Sequence, residues 1–333
     1  MQVRCAQSVH AQDAVAKGVL GKMIDALSAP TNDPAWGVED GTPPPPPYST
    51  GAYSLAGIRK MLDGRQAASM LDSTDGAIRF NEYHKLSERV SNLTSGQLGS
   101  VFGETFATMI DGSLRSSERL GNILETITLQ STRWDDTNGD GNVNNADSTA
   151  PHSCAAICRS FKQVARVIHA RGQLGEERQV FYLERGAFDT HSSAQEQVQS
   201  NLAQINVALT AFVDELKLLG VWDDVAIVTS SDFARTLDSN GAGTDHAWGG
   251  NYMLLGGGIK GGTIHGEYPT SLLASSDVHV GRGRLLPTRS WEAVWSGLAQ
   301  WFDVPEARIP RVLPNRANFP AHQLFTRQDL FEA

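Results

Sequence analysis

Three short segments carry side chains of the types that hold divalent cations. They are Gly186-Ala-Phe188-Asp189-Thr190-His191, Ser230-Ser231-Asp232-Phe233-Ala234-Arg235 and Gly243-Thr244-Asp245-His246-Ala247. An Asp and a His two apart in extended chain project to the same side, so Asp189 and His191 can meet one ion. Taken alone, that pair serves equally well as a capping carboxylate and a surface histidine. Asp232 with Arg235 three residues on sets a metal-binding carboxylate beside a forked donor suited to an anion. Three such segments within about 60 residues are better explained by one shared centre than by three accidents.

A fourth segment points to a different ion. Asp136 through Asp147 fits the twelve-residue EF-hand template in register. Side-chain oxygens of Asp136, Asn138 and Asp140 fall at positions 1, 3 and 5, and Gly141 permits the sharp turn at position 6. Asn142 offers its backbone carbonyl at position 7, Asn144 can act through water, and Asp147 closes the shell at position 12. Hard oxygen ligands at this spacing select Ca²⁺. The loop resembles the calcium loop of dockerin modules, which also often end in Asp. It reads as a structural clamp within an insertion spanning 134–150.

The elements that must position these groups follow from periodicity. Residues 10–28 read as a helix ending near Ala29-Pro30, and 95–130 are helical by pattern, with Phe102, Phe106, Ile110, Leu120, Ile123 and Ile127 recurring at three to four. Ile157, Phe161, Val164 and Ile168 mark another helix. The clearest helix spans 193–219, capped by Ser192 or Ser193 and closed by Gly220. A last helix covers 290–302. Gln179–Glu184, Val225–Thr229 and Asn251–Leu255 read as strands. Strand, helix and strand at this spacing form a βαβ unit, which predicts a parallel sheet with ligands beyond the carboxyl ends of its strands. Pro43 to Pro47 followed by Tyr48 reads as a stiff surface loop rather than a ligand for a WW-type domain.

Composition sets the outer bounds. The 333 residues are 40% hydrophobic and 20% charged, enough to bury a sizeable core in one large α/β domain covering 1–333. A net charge of −9 argues against a binder of nucleic-acid backbones and suits a protein that holds cations. No apolar run is long enough to span a membrane, and no signal peptide is visible at Met1. Of the three cysteines, Cys154 and Cys158 lie four apart in a helical pattern and read as packed thiols. The compartment is left open, with an extracytoplasmic location expected if a secretory signal precedes this sequence.

The segments GAFDTH, VAIVTSSDFART, GTDHAWGGNYMLLGGGIKGG and HGEYP, in this order, resemble the bacterial domain-of-unknown-function family 1501, placed in the alkaline phosphatase and sulfatase superfamily. The likeness is strongest over 179–269 and continues more loosely upstream through Tyr53-Ser-Leu-Ala-Gly57 and His10-Ala-Gln12. It implies a doubly wound, mainly parallel α/β sheet flanked by helices, with a two-metal centre. On that basis Asp189, His191 and His246 would bind one metal and Asp232 the second. Asp245 would be a further ligand or would orient a histidine. Arg235 would face anionic oxygens of the substrate, and His10 matches a family histidine near the active site. Family members usually carry Glu-Phe-Gly where this chain has Asp232-Phe233-Ala234, and Asp-His-Gly where it has Asp245-His246-Ala247. They also begin with a strand and a Gly-Gly-Asp-like loop that this sequence does not start with.

The resulting expectation is a metal-dependent hydrolase of phosphate or sulfate esters, acting on an anionic small molecule or glycan. It would use one or two transition metals such as Zn²⁺ or Mn²⁺ together with structural Ca²⁺. The alternative is a non-catalytic calcium-binding protein of the same fold, acting as a binding or scaffold module.

Overall fold

The computed structural model describes residues 7–10, 12, 13, 15–30, 33, 36, 47–79, 82–94, 100–135 and 155–332. Its centre is a four-stranded sheet in the order β3-β2-β1-β4, formed by β1 (Thr50–Ser54), β2 (Ser69–Asp72), β3 (Gly76–Ala77) and β4 (Arg178–Tyr182). β1 runs parallel to both β2 and β4, and only β3 is antiparallel. The protein is therefore mixed α/β with a mostly parallel central sheet, as the sequence pattern predicts.

Six longer helices accompany the sheet among the described residues: α1 (Val19–Ser28), α2 (Tyr83–Thr94), α3 (Val101–Glu125), α4 (Ala155–His169), α5 (Ala194–Leu218) and α6 (Trp291–Trp301). Strand periodicity sorts them onto opposite faces. Ala52 of β1 and Val180 of β4 pack with Ile24 of α1. The next residue of β1, Tyr53, packs with Leu120 and Leu124 of α3 and Val167 of α4. α4 and α5 share a third core in which Phe161 and Phe212 lie 5.1 Å apart. α1 and α6 close a fourth with Ile309, Val312, Leu313 and Leu330.

Several boundaries differ from the sequence pattern. The first long helix begins at Val19 rather than at residue 10. α5 ends as expected, with Gly220 at φ +67° and Val221 N–H bonded to the Leu216 carbonyl. Ser193 gives no side-chain cap at its start, however, because it adopts a left-handed backbone at φ 46°. The strand expected over 225–229 contracts to β5 (Ile227–Val228), which pairs antiparallel with β8 (Leu254–Leu255) instead of extending the parallel sheet. Between them β6 (Ala234–Ser239) and β7 (Thr244–Ala247) form an antiparallel hairpin. Cys158 is disulfide-bonded, which corrects its reading as a packed thiol; the other two cysteines lie outside the described residues. Tyr48 is half-buried, with the Arg178 guanidinium over its ring at 4.4 Å.

Candidate metal centre

Beyond β4 the chain enters a loop at 183–193 that is held from below by α5. Asn201, 4% exposed, donates to the Ala187 carbonyl at 2.6 Å and accepts from Arg185 at 2.7 Å. Ala187 itself sits at φ 65°, in the left-handed region, so the turn into Phe188-Asp189 is fixed by its surroundings. The β6–β7 hairpin then lies on this loop. A Cβ on Gly243 would come within 2.2 Å of the Thr190 carbonyl, so the approach requires glycine.

That approach brings the first and third sequence segments together. Asp189 Oδ1 lies 2.8 Å from His191 Nε2 and 2.8 Å from His246 Nε2. The three ligand atoms lie within 4.8 Å of one another, and all three side chains are exposed. Phe233 stacks on His246 at 3.9 Å with an interplanar angle of 4°, and His191 faces His246 at 5.3 Å. The His246 ring is thus held in place by Phe233. One carboxylate and two imidazoles in this arrangement suit zinc, manganese or iron(II), so the donor set fits a divalent transition metal.

Arg235 joins the cluster directly. It donates to Asp189 Oδ1 at 2.9 Å, to the Phe188 carbonyl at 2.6 Å and to the Thr244 carbonyl at 2.7 Å. The His246 hydrogen bond, followed by that of Arg235, holds the Asp189 carboxyl below the usual carboxylate range. Asp245 stands behind His191, 3.7 Å from its Nδ1, and accepts from Arg282 at 2.7 Å. At 3.7 Å it is beyond direct hydrogen-bond reach of the imidazole. A shallow groove of about 600 Å³ runs from Gly243 and Thr244 to Ser193, Glu196 and Gln199 at the start of α5.

Asp232 occupies a second acidic focus outside this triad. Burial raises its pKa first and the neighbouring Glu184 raises it further, while a hydrogen bond from Gln7 opposes both. Glu184 is paired with Arg59 at 2.5 Å. Tyr252, its pKa also raised by burial and by Asp232, packs against Trp291 with ring centres 4.7 Å apart and the planes tilted by 47°. This focus gathers at the carboxyl ends of β1, β4 and β5, where ligands collect in open α/β sheets. Gln7 places the segment that leads to His10 beside Asp232, but no polar contact brings the His10 side chain to the triad.

Glu184, Arg59, Phe233, Tyr252 and Arg282 were not singled out by sequence reasoning. Glu184 ends a recognised strand run and could have been found by the rule that placed Asp232. Arg282 sits in an unpatterned stretch with no such signal. The calcium-loop residues Asp136, Asn138, Asp140, Asn142 and Asp147 lie outside the described residues. No described helix is long and apolar enough to cross a membrane.

Residues 124–283 match the model of a family described as a protein of unknown function, DUF1501. The match contains every residue of the triad together with Arg235, Asp232 and Glu184, and it supports membership of that family. No curated protein and no solved structure matches the chain.

Proposed function

We propose that this chain, whose residues 124–283 align with DUF1501, is a metal-dependent hydrolase of phosphate or sulfate esters centred on Asp189, His191 and His246. The observation that carries the reading is the meeting of Asp189 and His246 across 57 residues of sequence on one oxygen. A divalent ion, when bound there, supplies Lewis-acid charge to a phosphoryl or sulfuryl oxygen. Asp189 stays ionised at neutral pH because its carboxyl is stabilised as the anion. The Phe233 stack fixes the His246 ring, and Arg235 holds Asp189 in place while bringing positive charge for an anionic substrate. Asp232 with Glu184 offers the acidic surroundings for the second cation of a two-metal site. The loop at 136–147 would bind structural Ca²⁺.

The test is elemental analysis of the purified chain after dialysis, coupled to a screen of phosphate and sulfate esters. We expect near-stoichiometric transition metal and measurable hydrolysis. Asp189→Ala or His246→Ala should lower both by at least about tenfold. A chain that hydrolyses esters but keeps its full rate in both variants would refute this site assignment.

A second reading rests on Arg235, which occupies the same Asp189 oxygen as the two histidines. On that reading the cluster is a latch fastening the β6–β7 hairpin to the 186–191 loop in a non-catalytic binding or scaffold module. Transition metal absent from the purified chain, with Asp189→Asn lowering the melting temperature, would favour it.

A further inference from the structure

The first three turns of α3 present an apolar stripe that stays exposed, with no described residue covering it. Val101 is 78% exposed, Phe102 88%, Phe106 66% and Met109 67%, with Ile110 beside them at 37%. The second half of the helix joins the core through Leu120 and Leu124, and the first half buries Ala107 on its other face. Phe102, Phe106, Met109, Ser113 and Ser116 follow one another at steps of four and three, the spacing of a coiled-coil seam. The seam is apolar over its first part and turns to serine beyond it. A partner helix would therefore engage the N-terminal half of α3 and not its C-terminal half.

We propose that this stripe is a homodimer interface, in which two copies pair the N-terminal halves of their α3 helices about a two-fold axis. The area fits. With an aromatic side chain offering on the order of 200 Å², the stripe exposes roughly 600 Å² per chain. An isologous pairing would bury about 1,200 Å², the lower end for specific dimers. The surrounding charge disfavours the main alternative, an anionic bilayer. Glu104 flanks the stripe, Asp111 is paired with Arg115 at 2.6 Å, and the whole chain carries −9. A membrane-docking helix would carry an excess of Lys and Arg on that rim.

The experiment is sedimentation equilibrium on the full chain from about 1 to 100 µM, a range that brackets the affinity of a small interface. It is repeated on the double variant Phe102→Glu/Phe106→Glu, with circular dichroism to show an unchanged fold. Both side chains are exposed, so the variant should fold normally. We expect a dimer for the native chain and at least hundredfold weaker association for the variant. A native chain that stays monomeric throughout, or a variant that dimerises as well as the native, overturns the proposal. So does flotation of the monomeric native chain with phospholipid vesicles that the variant loses. None of these outcomes depends on the metal centre.

Discussion

Lys22 lies on α1 with its side chain 8% exposed and its ammonium donating to the Ser8 carbonyl at 2.9 Å. Burial lowers its pKa to about 8, against an opposing pull from Glu292 and Asp13. Between pH 8 and the unfolded value of 10.5 the unfolded chain holds a proton that the folded chain has released. Stability therefore rises with pH across that window, and the penalty is complete below it. A shift of this size corresponds to about 3 kcal/mol, partly offset by the Ser8 hydrogen bond. Lys22→Met should raise the urea midpoint at pH 7 and lose most of that advantage by pH 10.5. An advantage of equal size at both pH values would show that burial of the charge is not its source.

Among the elements, the β6–β7 hairpin is what carries His246 to Asp189. Gly243 lets it rest on Thr190, and Thr236 Oγ1 accepts from the Asp245 N–H at 3.1 Å to set the strand beside the loop. Gly243→Val should push the hairpin away and weaken metal retention by about tenfold or more, with little change in the urea midpoint because the residue lies outside the main cores. Elemental analysis of the variant beside the native chain checks this. If the metal content is unchanged, the hairpin does not build the site. α5 has a second anchoring role at its far end. Fully buried Glu215 accepts from the N–H groups of Gln130 and Ser131 and from Trp134 Nε1, which ties the segment at 130–134 to the helix that starts beside His191.

At the scale of the whole molecule, early and late parts of the chain are joined by one buried cation. Arg308 is 1% exposed and donates to the carbonyls of Trp36, Ala26 and Ala29, all backbone acceptors. Among the described residues no carboxylate pairs with it directly, and burial lowers its pKa while Asp33 opposes that shift. Arg308→Met should leave those carbonyls without a donor and cost roughly 2–4 kcal/mol, read as a fall in melting temperature. A variant within 0.5 kcal/mol (about the noise for surface changes) would mean that the carbonyls find other donors. The same core seals α1 against α6, so the loss should be global and cooperative.

The sequence by itself marked most of the long helices, though not α2 (Tyr83–Thr94), and which residue types could do chemistry. Both are local properties: a repeat near 3.6 marks an apolar face, and Asp-x-His or Asp-His marks a donor pair whatever surrounds it. It was silent on β1, the central strand of the parallel sheet. Thr50-Gly-Ala-Tyr-Ser54 has no apolar run, yet all five residues are buried, because small side chains permit close packing between neighbouring strands. Its residues alone also left open which carboxylates meet, although the family resemblance grouped Asp189 with His191 and His246 and set Asp232 apart. The tertiary structure sets Asp189 against His246 and Asp232 near Glu184, since long-range contacts depend on how loops are held and not on spacing along the chain. The α3 stripe makes the same division. Periodicity marks Phe102 and Phe106 as one helical face, but whether another element covers that face is decided by the packing of the whole chain.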